Sequence, residues 1–238
     1  MSPANPKTIL FLGATGGCGL SALRRSLDAG FTCIALCRTP SKLASVLLPE
    51  QYPNLRIAQG NAHEAHVVAR HLVSPLDPTP ASLTPSSPPL AHGSTCGMAV
   101  LLDALKNLRT EKGVSGNPRI LGLSSTGISK FGRDTPLLIA PLYKGLLHVP
   151  HEDKRAMEEL LFASNEAWTV VRASLLTNGK EQPPGAVRVG LEDPSKGVEQ
   201  LAIGYTISRE DVGRWIFENV LQKDGNDEFV RKVATITY

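Results

Sequence analysis

No stretch of this chain approaches the roughly 20 consecutive apolar residues that a bilayer span needs, so no membrane association is expected. Cysteine is scarce, four in 238 residues, too few for a disulfide framework at this length. Cys33 and Cys37 share one face of an expected strand, about 13 Å apart, too far for a bridge or a shared metal. Free thiols in a reducing compartment are the expectation. The leading residues MSPANPK lack the apolar centre of a signal peptide, which makes a cytoplasmic location the default. A strong charge of one sign is also missing. The net charge is +3 and the pI near 8.7, well short of a nucleic-acid footprint but suited to anionic small-molecule ligands. Six histidines occur, yet no cysteine joins His63 and His66 at ligand spacing, so no metal site is expected. No G-x-S-x-G elbow is present, which argues against a serine hydrolase. There is no internal repeat and no sign of a second domain.

What is present fits one α/β domain, with 42% hydrophobic residues to fill a core and 20% charged residues. The chain is organised around residues 7–19, KTILFLGATGGCG. Ile9 to Leu12 form a short apolar run, the pattern of a strand buried on both faces. Gly13, Gly16 and Gly19 follow, and then a helical pattern carried by Leu20, Leu23 and Leu27. Strand, glycine loop and helix together make a dinucleotide-binding arrangement. Gly13 permits the turn, Gly16 lets backbone amides reach phosphate oxygens, and Gly19 lets the helix pack closely. Gly17 and Cys18 complete the loop, and the helix N-terminus faces the phosphates.

Residues 31–37 read as a second buried strand, after a helix that ends near Gly30. Arg38 then stands at the strand's C-terminal end, 25 residues after Gly13. An acidic residue there would bond the ribose 2′-OH of NAD, whereas a basic one suits the 2′-phosphate of NADP. Thr39, Ser41 and Lys42 add hydroxyl and cationic contacts. Residues 55–59 read as a third strand, with Asn61 beside the adenine. Residues 62–70 are a short helical candidate and 70–74 a weakly patterned fourth strand. Six of the eighteen prolines fall in residues 75–89, a density that no helix or central strand survives. That stretch is a long loop, a candidate lid or pocket wall. Helical periodicity returns over 94–108. Residues 118–125 are the fifth strand, ending in Ser124 and Ser125. Residues 135–149 are broken helix or loop carrying Tyr143 and His148. A helix over 151–163 precedes a strand over 167–172. Short strand candidates at 186–189 and 205–207 lead to a helix over 208–221 with Ser208 as its N-cap. Residues 232–238 close the chain as a strand. Trp168 and Trp215 are read as core.

With these residues in place the chain resembles the atypical short-chain dehydrogenase/reductases, and among them the NAD(P)-binding proteins that include NmrA-like regulators and flavin/biliverdin reductases. The resemblance rests on GATGGCG, CRTPSKL, LSS, HEDKRAMEELLFASNEAWTVVR and TISREDVGRWIFENVL. It covers nearly the whole chain and is weakest over residues 62–93. It implies a Rossmann-type, doubly wound parallel sheet with helices on both faces and a nicotinamide cofactor across the C-terminal strand ends. It carries cofactor roles to Gly13, Thr15, Gly16, Gly19 and Arg38, and a place beside the nicotinamide to Ser124 and Ser125. Members with the full catalytic set have a tyrosine four residues before a lysine. Lys154 matches that lysine, but Pro150 stands where the tyrosine would be. The asparagine-rich stretch after the fourth strand is also absent.

Candidates for a proton donor are therefore Ser125, Tyr143, His148, His151 and Lys154. His151, Lys154, Met157 and Leu161 fall on one helical stripe, which turns His151 and Lys154 inward. The expected ligands are NADPH and a small molecule, bound by a monomer or homodimer. Three functions stay open: a reductase of a small carbonyl, quinone, flavin or enone; an NmrA-like cofactor sensor; and a non-redox isomerase, cyclase or dehydratase on the same scaffold. Arg38→Glu is expected to weaken NADPH at least about tenfold more than NADH in a fluorescence titration. Equal loss for both would remove Arg38 from the 2′-phosphate.

Overall fold

Strand β1 (Thr8–Leu12) runs parallel to β2 (Thr32–Cys37), and β2 runs parallel to β3 (Leu55–Gln59). Helix α1 (Gly17–Asp28) crosses from β1 to β2, and the short α2 (Pro40–Ala44) precedes β3. The computed structural model describes residues 7–48, 50–73, 93–137, 148–223 and 228–238. Tyr143 and the proline-dense stretch 75–89 lie outside the described residues.

Because β2 lies between two neighbours, consecutive side chains enter opposite cores. Cys33 and Ala35 pack with Leu23, Leu27 and Leu43 on the α1 side. Ile34 and Leu36 pack with Val67, Val68 and Ala104 on the other side. All four cysteines are free, and Cys33 and Cys37 are buried. The expectation of two-sided burial fails for β1, whose middle residues are only half-buried and whose Leu12 is 36% exposed. Among the described residues β1 pairs with β2 alone, so one of its edges lacks a strand to shelter it.

Residues 70–73 do not form the expected strand over 70–74, since Arg70 to Val73 belong to helix α3 (Ala65–Val73). Val67, Val68 and Leu72 recur at helical spacing and face β2 and α4 (Gly93–Lys112). Strand β4 (Arg119–Ser125) then pairs in parallel with β5 (Ala167–Ala173). Helix α5 (His148–Ala163) connects them, starting three residues before the expected position. Pro150 fits its first turn, where the missing N–H would have no partner anyway. Strand β6 (Leu175–Thr177) pairs with β9 (Thr206–Ser208) as a separate two-stranded ladder. Strand β10 (Lys232–Thr237) lies parallel to β5.

Among the described residues β1 to β3 form one parallel sheet and β4, β5 and β10 belong to a second, five-stranded sheet that is not wholly parallel. β7 (Arg188–Asp193) runs antiparallel to β10, and β8 (Gly197–Gln200) antiparallel to β7. No helix separates β7 from β8, and a short turn can join only antiparallel strands. Helix α6 (Arg209–Ile216) packs on α1, so closely that a Cβ on Gly213 would fall 2.4 Å from the Ser21 side chain. Ser208 caps α6 as expected, its Oγ accepting from the Asp211 N–H at 3.0 Å. Val171, Ala173, Ala234 and Ile236 meet α1 and α6 on one face, while Val170 and Val233 meet Met157 and Leu161 of α5 on the other. Trp168 and Trp215 are core residues.

One buried ionic cluster ties α5, β5 and β7 together. Arg172 donates from Nε and Nη2 to both Glu158 oxygens at 3.0 and 2.7 Å, and from Nη1 to Glu192 Oε1 at 3.0 Å. Ser129 Oγ donates to the other Glu192 oxygen at 2.5 Å. Arg172 and Glu158 are each 2% exposed, so removing the cation strands two carboxylates away from water. Arg172→Met is expected to lower the unfolding free energy by about 3–5 kcal/mol in urea titrations. A loss under about 1 kcal/mol would mean the cluster does not hold these layers.

Candidate cofactor and active site

The turn out of β1 places Gly13 at φ +99°, a conformation L side chains rarely adopt. A Cβ on Gly19 would lie 2.6 Å from the Gly13 carbonyl oxygen, so α1 sits directly against the strand end. A Cβ on Gly16 would meet nothing within 4 Å, which leaves the outer side of the loop open. Gly16 is the N-cap residue of α1, and no side chain caps the helix. The first amides of α1 therefore stand ready for an anion. Thr15, Gly16 and Gly17 are exposed beside them. The Cys18 side chain turns into the core with Val212 and Trp215, and burial pushes the thiol up to about 11. Only its backbone is left for the cradle.

Arg38 and Lys42 are both exposed, one just past β2 and the other in α2. Asn61 serves its own turn: its Oδ1 accepts from the His63 N–H at 3.1 Å and its carbonyl from the Glu64 N–H.

At the end of β4 the Ser125 hydroxyl donates to the Thr126 carbonyl at 3.2 Å. Ser124 is 5% exposed, and its Oγ has no hydrogen-bond partner among the described residues. The same holds for the buried Oγ of Ser174, just past β5. Ser125 and Ala173 are register partners, so both orphaned hydroxyls lie at the C-terminal ends of neighbouring strands. Lys154 Nζ donates to the Leu123 carbonyl at 2.9 Å, which brings its amine to the same strand end. Burial lowers the Lys154 pKa against the opposing pull of Asp153 and Glu158. His151 is buried on the same helix face, as its spacing predicts. Burial, Arg155 and His148 lower its pKa, so the imidazole is neutral at neutral pH. His148 is not brought to this cluster. It stands exposed, 3.5 Å from Glu152 one turn along. Asp134 is a buried neighbour the sequence did not mark. Its carboxylate accepts from the Gly127 N–H at 2.9 Å, and burial raises its pKa.

A family model described as NAD(P)H-binding matches residues 13–223, from the glycine loop to beyond α6. The chain belongs to this NAD(P)H-binding family. "Reductase pytE" of Aspergillus terreus is 38% identical over 271 aligned residues, covering 100% of both chains. "Oxidase pynE" of Aspergillus niger is 34% identical, covering 97% of this chain and 98% of the relative. Among solved structures, a short-chain dehydrogenase/reductase from Veillonella parvula in complex with NADP superposes with a TM-score of 0.69 at 18% identity, over 98% of this chain and 94% of its own. The anaerobilin reductase ChuY from Escherichia coli O157:H7 gives 0.62 at 17% identity, over 98% and 96%. These two share the fold. Its NAD(P)H-binding family and its relatives, named a reductase and an oxidase, support an oxidoreductase.

The residues fit the family's cofactor: open amides for a diphosphate, exposed cations past β2, and orphaned hydroxyls at the ends of β4 and β5. Among the described residues no three His, Cys, Asp or Glu side chains group to hold a metal, and no helix is long and apolar enough to cross a membrane. Gly16→Ala separates a ligand loop from a simple turn. Its backbone is extended and its Cβ would touch no protein atom, so stability should change by less than about 1 kcal/mol. NADPH affinity should fall at least about tenfold in fluorescence titration, because the methyl occupies phosphate space. Unchanged affinity would reduce the loop to a turn.

Proposed function

We propose that the chain is an NADPH-dependent reductase of a small carbonyl, quinone, flavin or enone. The observation that carries this reading is the Lys154 amine bonded to the Leu123 carbonyl near the end of β4, the strand that also carries the unpaired Ser124 hydroxyl. Arg38, with Lys42 nearby, offers positive charge to a ribose 2′-phosphate and supports NADPH over NADH.

A bound reduced nicotinamide would supply a hydride to the electrophilic carbon of the substrate. The chain's part is to orient the substrate and to meet the charge that develops on its oxygen or nitrogen. The orphaned Ser124 hydroxyl, on the α5 face of β4, hydrogen-bonds that atom, and the Lys154 ammonium gives it a proton, which solvent replaces. A lysine whose pKa burial has lowered is a better acid for this task than a solvated one. Pro150 offers no hydroxyl, so the amine and the Ser124 hydroxyl replace the phenol of the full catalytic set.

The missing phenol also favours a second reading, a cofactor sensor or non-redox enzyme on the same scaffold. One experiment separates them. The protein is mixed with NADPH and a panel holding a quinone, a flavin and an enone, and both nicotinamide fluorescence and absorbance are followed. Binding with oxidation is expected. Binding without turnover would support the sensor, and no binding the non-redox enzyme. The rate should fall as pH rises through the Lys154 pKa, below the ordinary lysine value of 10.5. Lys154→Met should remove that limb and cost about 10²–10⁴ in kcat.

A further inference from the structure

The loop 13–19 contains no basic residue, and the first turn of α1 adds none. Phosphate oxygens lying there would meet amides but no full positive charge from the loop itself. The fold brings one from far along the chain. Arg209, the first residue of α6, lays its side chain across Gly17. A Cβ on Gly17 would fall 3.3 Å from Arg209 Cδ and 3.6 Å from its Nε. The Arg209 Nη1 donates to Asn178 Oδ1 at 2.7 Å and to the Leu176 carbonyl at 3.5 Å. Both acceptors are neutral. Among the described residues no carboxylate pairs with this guanidinium. The acids of the first α6 turn are engaged elsewhere: Glu210 accepts from Ser21 Oγ at 2.7 Å, and Asp211 pairs with Arg214 at 2.7 Å.

We propose that Arg209 is a cofactor-binding residue that grips the dinucleotide diphosphate from the side opposite the α1 amides. The inference rests on the nucleotide reading above. A helix N-terminus carries a partial positive charge, and a guanidinium beside it is repelled unless an anion lies between. Among the described residues no carboxylate pairs with Arg209: Glu210, whose charge also reaches Cys18, is bonded to Ser21, whereas a diphosphate would lie between the two positive groups. The Arg209 charge already reaches the loop: it pulls the Cys18 thiol down, although burial pushes that thiol up further. Asn178 fixes the guanidinium over Gly17 before a ligand arrives, which limits the ordering needed on binding. The segment after β6 that carries Asn178 is itself fastened to α1 and α6. Arg25 meets Glu181 at 2.5 Å, Arg214 meets Glu181 at 2.7 Å, and the Gln182 N–H donates to Asp211 at 3.1 Å.

The diphosphate is common to NADPH and NADH, so this contact differs from the one assigned to Arg38. Arg209→Gln should raise the Kd for NADPH and for NADH by the same factor, at least about tenfold, in fluorescence titration of the whole protein. Arg209→Lys, which keeps the charge and loses the fork, should fall between. Asn178→Ala, which frees the guanidinium without removing it, should weaken both nucleotides equally and by less. Circular dichroism and urea midpoints report whether each variant is folded. A change under about twofold in Arg209→Gln, or a loss confined to NADPH, would overturn the proposal. If Arg209→Gln does not fold, the decision passes to Asn178→Ala, where unchanged affinities for both nucleotides would overturn it. Failure of the unaltered protein to bind either nucleotide would instead remove the nucleotide reading itself.

Discussion

The first amides of α1 have no side chain to cap them, and the architecture around them keeps that so. Helix starts are ordinarily capped because uncompensated N–H groups and the helix dipole both favour a nearby acceptor. Here the N-cap is Gly16, which has no side chain to offer, and the space beside it is open. The close approach of Gly19 to the Gly13 carbonyl presses the helix start against the strand end. The local cost of that uncapped start is offset elsewhere, by the tight α1–α6 packing at Ser21 and Gly213 and by the capped, ion-paired start of α6.

Polar groups concentrate in a second place, beneath α5. Arg172, Glu158 and Glu192 form a fully bonded buried cluster; Lys154, Ser124 and Ser174 lie close to it in sequence and register, and Asp134 feels the Arg172 and Glu192 charges. The two sets differ in kind. The cluster closes its hydrogen bonds internally and holds layers together. The strand-end hydroxyls do not, and a buried hydroxyl left unpaired carries a penalty that a ligand oxygen relieves. The uncapped amides past β1 and the buried, unpaired hydroxyls at the ends of β4 and β5 are thus the two polar sets left unsatisfied at strand ends, while the ionic cluster is closed on itself.

Much of this was legible beforehand. The strands over 31–37 and 55–59, the Ser208 cap, the inward turn of His151 and the core role of both tryptophans follow from local rules of period, capping and size, and all are found. The misreadings share one cause. An apolar run shows that a segment wants burial, but not whether a neighbour will cover its edge, so Ile9 to Leu12 looked more buried than β1 is. Residues 70–74 read as a weakly patterned strand, whereas the helix over 62–70 runs on through Val73, where Leu72 packs with Val67 and Val68. His148 reads as part of a loop before the helix, whereas the helix begins with it and leaves its side chain exposed beside Glu152.

By itself the sequence determined a glycine loop between a strand and a helix and an alternation of strands and helices in an α/β domain, to which the family resemblance added a doubly wound sheet and a lysine whose usual tyrosine partner is a proline. These are short-range facts, set by the conformational limits of glycine and proline and by the two hydrophobic periods. Only the tertiary structure decided that Arg209 lies over Gly17, that Arg172 is enclosed by Glu158 and Glu192, and that Lys154 reaches the end of β4. The physical reason is that each of these contacts joins separate elements. Charge and hydrogen bonding act through space, and no local pattern in the chain specifies which distant elements packing will bring within their reach.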